Sequence, residues 1–249
     1  MSETGAAALK TVLVTGATSG IGEATVRSLR AGGYKVYALG RNVGALDALA
    51  ADTGALPVVA DVCDTDAVLA GLAGADIDVL VNNAGVLPAR VPFQELEPAA
   101  IDAMLDVNLK APIQLTRALL PGMISRRRGH LIYIGSSAGQ AAFPAMSVYG
   151  TGKAGLSMFC DNLRLDLLGT GLRVSEIAPG RVQTKLYRTA LDAKGLFEFY
   201  DGYRPLTPED VAAAIAHVIA LPAHVDVARL ELFPTDQASG GGLMVKDPG

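Results

Sequence analysis

The chain alternates two kinds of apolar pattern. Short runs rich in Val, Ile and Leu occupy Thr11–Val14, Lys35–Leu39, Pro57–Ala60, Val79–Val81, His130–Ile134, Arg173–Ile177 and Arg229–Phe233. Between them lie longer stretches whose apolar residues recur every three or four positions: Ile21–Ala31, Val43–Ala51, Thr65–Leu72, Pro98–Pro121, Val148–Leu168 and Pro208–Leu221. The first set predicts strands and the second predicts helices. The first six runs are mostly continuous rather than alternating, which marks strands covered on both faces. Thr207-Pro208-Glu209-Asp210 reads as a helix start, with a capping threonine, a proline in the first helical position and acids in the first turn. Strand and helix alternate throughout. The expected fold is therefore α/β: a doubly wound, mostly parallel seven-stranded sheet with helices on both faces. No solenoid repeat and no long linker interrupts it, so residues 1–249 are expected to form one domain. The glycine-rich end, 237–249, is expected to be loose or used in subunit contacts.

Composition narrows the class. A chain of 249 residues that is 50% hydrophobic suits one large α/β domain. A net charge of -4 provides no basic field, so nucleic acid is not an expected partner. The two cysteines, Cys63 and Cys160, fall in different predicted elements, with no histidine at metal spacing. They are expected to be two buried thiols in a reducing compartment, and no metal site is predicted. Met1–Lys10 lacks a basic start followed by an apolar run, and no stretch is apolar for the length of a bilayer. A cytoplasmic protein without a membrane partner is the expectation.

Chemistry enters at the strand ends. The first strand runs into Thr15-Gly16-Ala17-Thr18-Ser19-Gly20-Ile21-Gly22. Gly16 permits a tight turn, while Gly20 and Gly22 let backbone approach a pyrophosphate and let the helix pack close to the sheet. The free N–H groups opening that helix, around Ile21, then face an anion. The pattern, placed between the first strand and the first helix, predicts a Rossmann-type dinucleotide cradle rather than a plain glycine-rich turn. At the end of the second strand, Leu39-Gly40-Arg41-Asn42 lacks the acid that binds a free ribose 2′-hydroxyl, and Arg41 stands beside the gap. A guanidinium forks onto a 2′-phosphate and an acid repels one, so NADP(H) is predicted over NAD. Thr18 and Ser19 offer additional hydroxyl donors. Asp61 and Val62, after the third strand, are candidates for the adenine; Asp61 could also cap the next helix. Asn82-Asn83-Ala84-Gly85, after the fourth, would let a cofactor pass overhead on Asn83, Ala84 and Gly85.

The fifth strand delivers Ser136-Ser137, and the next helix opens with Tyr149 and Lys153. Residues four apart share a helix face, so phenol and ammonium can point into one space. A cation beside a phenol lowers its pKa from about 10, and a serine hydroxyl can bond the oxygen that the tyrosine protonates. That is the outline of an acid/base site for interconverting an alcohol and a carbonyl; the short Y-x-x-x-K pattern taken alone also fits two surface residues. Asn108 falls inside a predicted helix, where asparagine is a mediocre choice and, if buried, must find partners. Taken alone it reads as structural, holding a water or bending the helix.

In order, T-G-x-x-x-G-I-G at 15–22, N-N-A-G at 82–85, Asn108, S-x-x-G at 136–139, Y-x-x-x-K at 149–153 and Pro179-Gly180 resemble the short-chain dehydrogenase/reductase family in its compact form. The resemblance runs from about Thr11 to Phe233. It implies a tetrad of Asn108, Ser136, Tyr149 and Lys153. In that scheme Tyr149 is the general acid/base. Lys153 binds the nicotinamide ribose and lowers the tyrosine pKa, and Ser136 orients the substrate oxygen. Asn108 holds a water that links Lys153 to solvent. Pro179, Gly180, Val182 and Thr184 would run beside the nicotinamide. Ser136, thirteen positions before Tyr149, starts the S-x-x-G pattern and is preferred to Ser137. The family implies a small alcohol or carbonyl substrate and a homodimer or homotetramer.

L-P-G-M at 120–123, G-H-L-I-Y-I-G-S-S-A-G at 129–139 and the segments within 206–227 are similar to bacterial NADP-dependent 3-hydroxy acid dehydrogenases, which implies a small 3-hydroxy acid. An acid would need a cation, and Arg90, Arg181, Lys185 and Arg188 are candidates. The aromatic-rich stretch 184–205 is a candidate substrate lid, or a segment that simply packs onto the body. The alternatives are reduction of a bulkier apolar ketone or aldehyde, and a non-catalytic dinucleotide-binding regulator.

Overall fold

The structure is a computed structural model that describes residues 11–239 and 242–246. Expectations placed on Met1–Lys10, and on positions 240–241 and 247–249, lie outside the described residues. Seven strands form one sheet: β1 (Thr11–Thr15), β2 (Lys35–Gly40), β3 (Leu56–Val59), β4 (Val79–Asn82), β5 (Gly129–Ile134), β6 (Leu172–Pro179) and β7 (Arg229–Leu232). Their order is β3-β2-β1-β4-β5-β6-β7, and every pairing is parallel. The sheet is thus fully rather than mostly parallel. The helices are α1 (Gly20–Ala31), α2 (Val43–Thr53), α3 (Thr65–Leu72), α4 (Pro98–Leu105), α5 (Ala111–Arg126), α6 (Ser147–Asp166), α7 (Ala193–Tyr200) and α8 (Pro208–Ala220).

The continuous apolar strands split their residues between two cores, as a period of two requires. Val12, Val14, Ile132 and Ile134 face one core with residues of α1, α2 and α8. Leu13, Leu131 and Tyr133 face the other with residues of α3, α5 and α6. The capping box of α8 forms as its sequence predicts: the Thr207 hydroxyl accepts the Asp210 N–H at 3.2 Å, and the Asp210 carboxylate accepts the Thr207 N–H at 2.7 Å.

Three expectations are corrected. The helix expected over Pro98–Pro121 is two helices joined by a π-helical segment, Asp106–Lys110, because hydrogen bonding slips by one residue around Asn108. Residues 193–200, expected only as lid, form a helix that Asp192 caps through the Gly195 N–H at 2.7 Å. Cys63 is exposed rather than buried, since it follows β3 on a turn made by the Asp61 carboxylate; Cys160 is buried and both thiols are free. Gln237 pairs with Met244 in an antiparallel bridge, and its buried amide accepts the Arg181 N–H at 2.8 Å.

Candidate active site

The strand order reverses between β1 and β4, which leaves a crevice at the carboxyl ends of the strands. A cleft of about 620 Å³ fills it. At one end it is lined by Gly16, Thr18, Ser19, Gly20 and Ile21 after β1, Arg41 after β2, and Asp61 and Val62 after β3. Asn83, Ala84 and Gly85 form its middle. Ser136, Tyr149, Lys153, Pro179, Gly180, Val182 and Thr184 close the other end. Of the predicted residues, Gly22 and Asn108 do not line it.

The glycine turn is locked to the segment after β4. The Thr15 hydroxyl accepts the N–H groups of Asn83 and Ala84, each at 2.9 Å, and the Asn83 amide donates to the Thr15 carbonyl at 2.9 Å. Gly16 has φ +65°, and a β-carbon there would stand 2.9 Å from the Ala84 α-carbon. Gly22 sits beneath the turn, where a β-carbon would fall on the Gly16 carbonyl oxygen. Arg41, largely exposed, reaches Asp61 at 3.4 Å. Asp61 does not cap α3; Asp64 does, through the Ala67 N–H at 3.0 Å.

At the other end, Tyr149 and Lys153 lie on one face of α6, and both are buried. The Lys153 ammonium donates to the Ile134 carbonyl at 2.6 Å. It sits 5.9 Å from the centre of the Tyr149 ring. The Ser136 hydroxyl caps a short 3-10 turn (Ser137–Gly139) by accepting the Ala138 N–H at 3.1 Å, and Ser136 lines the cleft together with Tyr149. Ser137 does not line the main cleft. Gly139 allows this convergence, since a β-carbon there would stand 2.9 Å from the Lys153 backbone.

Residues 10–195 match the family model for short chain dehydrogenases. The chain belongs to the short-chain dehydrogenase/reductase family. It is 48% identical over 235 residues to an uncharacterised short-chain type dehydrogenase/reductase of Sinorhizobium fredii, covering 94% of this chain and 95% of the relative. It is 40% identical to an NADP-dependent 3-hydroxy acid dehydrogenase of Salmonella typhi, covering 92% and 97%. Among solved structures, the closed form of a serine dehydrogenase complexed with NADP+ superposes with a TM-score of 0.88 at 38% identity, covering 95% of this chain and 100% of that one.

Electrostatics in this short-chain dehydrogenase differ from the expectation that Lys153 lowers the Tyr149 pKa. Burial raises the Tyr149 phenol well above its ordinary value; Tyr187 adds to the rise and the Ser136 hydroxyl opposes it. Burial also lowers Lys153, to about 8, with the negative charge of Glu176 foremost in opposing it. The ammonium points at a carbonyl rather than at the phenol oxygen, so desolvation outweighs the attraction of cation and phenolate.

Sequence reasoning missed Val86, Leu87 and Pro88, which line the cleft beside Gly85, and Thr189. Leu186 and Tyr187, in the stretch read as a candidate lid, line it from 184–205 together with Thr189. Leu186 and Tyr187 pack on the cluster that contains Tyr149, Leu87 and Met146, so the candidate lid rests on Tyr149. The aromatic richness of that stretch was the available signal. A smaller recess of about 30 Å³ adjoins Ser136 and is lined by Arg90, Phe143, Met146, Arg181, Tyr187 and Phe199, among others. Lys185 is exposed and lines the main cleft, while Arg188 is exposed and lines neither cavity.

Asn108 is fully committed to backbone. Its side-chain oxygen accepts the Val86 N–H at 2.8 Å and its amide donates to the Val86 carbonyl at 2.9 Å. The amide therefore fastens the segment after β4 to the π turn, and Gly85 keeps the room clear, with a β-carbon position 3.2 Å from the Asn108 oxygen. Replacing Asn108 by Ala leaves both Val86 groups unpaired, with an expected loss of about 2–4 kcal/mol of stability. Urea denaturation measures it, and an unchanged midpoint would contradict this anchoring role.

Proposed function

We propose that this short-chain dehydrogenase is an NADP(H)-dependent enzyme that moves a hydride between nicotinamide and a small 3-hydroxy acid or its carbonyl counterpart. The reading is carried by the convergence of Ser136, Tyr149 and Lys153 at one end of a cleft whose other end holds the glycine turn and Arg41. The residues present fit the cofactor. Gly16 and Gly22 leave space that a β-carbon would fill, and the opening of α1 presents free N–H groups. No acid ends β2; at Gly40 a β-carbon would start 2.7 Å from the Thr18 methyl. Arg41 is free to exchange its exposed contact with Asp61 for a 2′-phosphate. Pro179, Gly180, Val182 and Thr184 would border the nicotinamide, with Asp61 and Val62 near the adenine. When bound, the cofactor supplies or accepts the hydride.

The chain's own residues do the rest. Ser136 holds the substrate oxygen beside Tyr149. Tyr149, its phenol kept protonated by burial, donates a proton to a carbonyl oxygen as hydride arrives. Lys153 supplies positive charge beside the site and a hand-hold for the nicotinamide ribose. Asn108 positions this group through the π turn; because its amide is spent on Val86, any water relay runs through main-chain groups freed by the π turn. Residues 184–205 would act as a lid that excludes water.

Two basic residues favour an acid substrate. Arg90 and Arg181 lie against the Phe199 ring, at 5.6 Å and 3.8 Å, in the recess beside Ser136. Neither forms an ion pair with a carboxylate among the described residues. A substrate carboxylate would supply the missing charge. The apolar walls, Phe143, Met146 and Tyr187, favour the second reading, a bulkier apolar ketone or aldehyde. The proposal extends to a cytoplasmic enzyme that forms a homodimer or homotetramer. Met158 and Leu165 of α6 are 61% and 66% exposed, apolar area that a second subunit would cover.

These readings are testable. Initial rates with NADPH and NADP across acid and neutral substrates should favour short 3-hydroxy acids; Arg90→Ala should raise their KM about tenfold and leave neutral ketones unaffected. Tyr149→Phe should cut turnover about a thousandfold while NADPH still binds. Fast reduction of bulky ketones with no turnover of 3-hydroxy acids would remove the substrate reading. Arg41→Ala should raise the KM for NADPH about tenfold and not that for NADH. Light scattering of the purified chain should give a dimer or tetramer, and a monomer would overturn that part.

A further inference from the structure

A buried ion network lies directly behind Lys153, and none of the roles above uses it. On α6 the residues Tyr149, Lys153, Ser157 and Asp161 follow at intervals of four and so form one row, running from the cleft to the surface. Ser157 donates to the Glu176 carboxylate of β6 at 2.9 Å. Arg229 of β7 reaches the same carboxylate oxygen at 2.8 Å, the Ser157 hydroxyl at 2.5 Å and Asp161 at 3.4 Å.

Glu176 is only 1% exposed. Its Oε2 takes both of those hydrogen bonds, and its Oε1 has no hydrogen-bond partner among the described residues. A carboxylate oxygen that deep, left without a donor, is costly unless a nearby charge compensates it. Oε1 is aimed at the peptide after β5: a β-carbon on Gly135 would fall on it. The carbonyl of the preceding residue, Ile134, is the one that receives the Lys153 ammonium. Glu176 and Lys153 therefore approach the same turn of chain, one from the sheet and one from the helix. Gly135 keeps the space between strand end and carboxylate open.

We propose that Glu176 is a positioning residue for Lys153: its buried carboxylate, fixed by Ser157 and Arg229, is the counter-charge that keeps the Lys153 ammonium charged beside Tyr149. The inference rests on the reading of Lys153 as part of the site. Few other ionisable groups face this lysine. Tyr149 and Cys160 share its helix, and burial keeps both protonated. Tyr133 on β5 is turned to Thr116 at 2.6 Å. The π segment contributes only the surface pair Asp106–Lys110, and α4 only the exposed Asp102. Glu176 is the leading charge that opposes the desolvation of Lys153, and Arg229, at the rim, partly neutralises it.

The sign of the effect follows. Lys153 is charged below about pH 8 and loses its proton above it. Removing the negative charge behind it moves that transition to lower pH; removing Arg229 leaves the carboxylate less neutralised and moves it to higher pH. The test titrates Lys153 by NMR in lysine-labelled full-length chain without cofactor, the resonance being assigned from Lys153→Arg. Glu176→Gln should lower the Lys153 midpoint by about one unit or more, and Arg229→Gln should raise it. The alkaline limb of the pH profile of kcat/KM for carbonyl reduction should move in the same directions. A Lys153 midpoint unchanged in Glu176→Gln would overturn the proposal. So would a downward shift in Arg229→Gln, which stands as a test even if Glu176→Gln does not fold. A purely structural network would lower stability in both variants and move neither midpoint. An absence of NADP(H)-dependent turnover in the unmodified chain would count against the enzymatic reading alone, since the NMR midpoint requires no turnover.

Discussion

The buried ammonium of Lys153 on the Ile134 carbonyl is the constraint around which the site is built. A lysine this deep must be held by hydrogen bonds and opposing charge, or it gives up its proton. Meeting that requirement brings the end of β5 against the first turns of α6. That approach carries Ser136 to Tyr149, and it needs Gly139, because no β-carbon fits between the 3-10 turn and the Lys153 backbone. One polar contact and one missing side chain therefore register a strand end against a helix.

The same economy recurs across the cleft. At the dinucleotide end, Thr15 and Asn83 tie the first turn to the segment after β4, while Gly16 and Gly22 let the two approach. In the middle, Asn108 clips Val86 to a π turn, so a helix irregularity and a strand-end loop brace one another. On α6, Gly155 lets Leu109 close in, with a β-carbon position 3.3 Å from its side chain. Buried amides and hydroxyls set the distances, and absent β-carbons allow them.

Charge is distributed with a similar division. Burial keeps the Tyr149 phenol protonated and draws the Lys153 ammonium toward neutrality, so the two groups are tuned in opposite senses by one environment. Glu176 opposes the second shift without entering the cleft. Arg90 and Arg181, by contrast, bring positive charge to the recess beside Ser136. The walls there are aromatic, and Tyr187 joins the cluster around Tyr149, which couples the stretch 184–205 to that tyrosine by packing.

Much of this was legible in the residues in order. Apolar runs of strand length between helical patterns determine a parallel α/β sheet, and glycines after the first strand together with Y-x-x-x-K determine what its carboxyl edge can hold. These are local signals, because periodicity and turn chemistry depend on neighbours in the chain. That Asn108 bends its helix was one of the readings its sequence offered, but its partner was not legible, since Val86 lies twenty-two residues away. Neither was the exposure of Cys63, which depends on how β3 ends at the sheet edge, nor the recess shared by Arg90 and Arg181, which meet only through Phe199. The pKa of Tyr149 ran against expectation because sequence spacing reveals a neighbouring cation but not the loss of water around both groups. By itself the sequence determined the fold, the cleft edge and the residue types that meet there. Which of them touch, how deeply they are buried and what charge lies behind Lys153 were decided by tertiary structure, because desolvation and long-range packing depend on elements far apart in the chain.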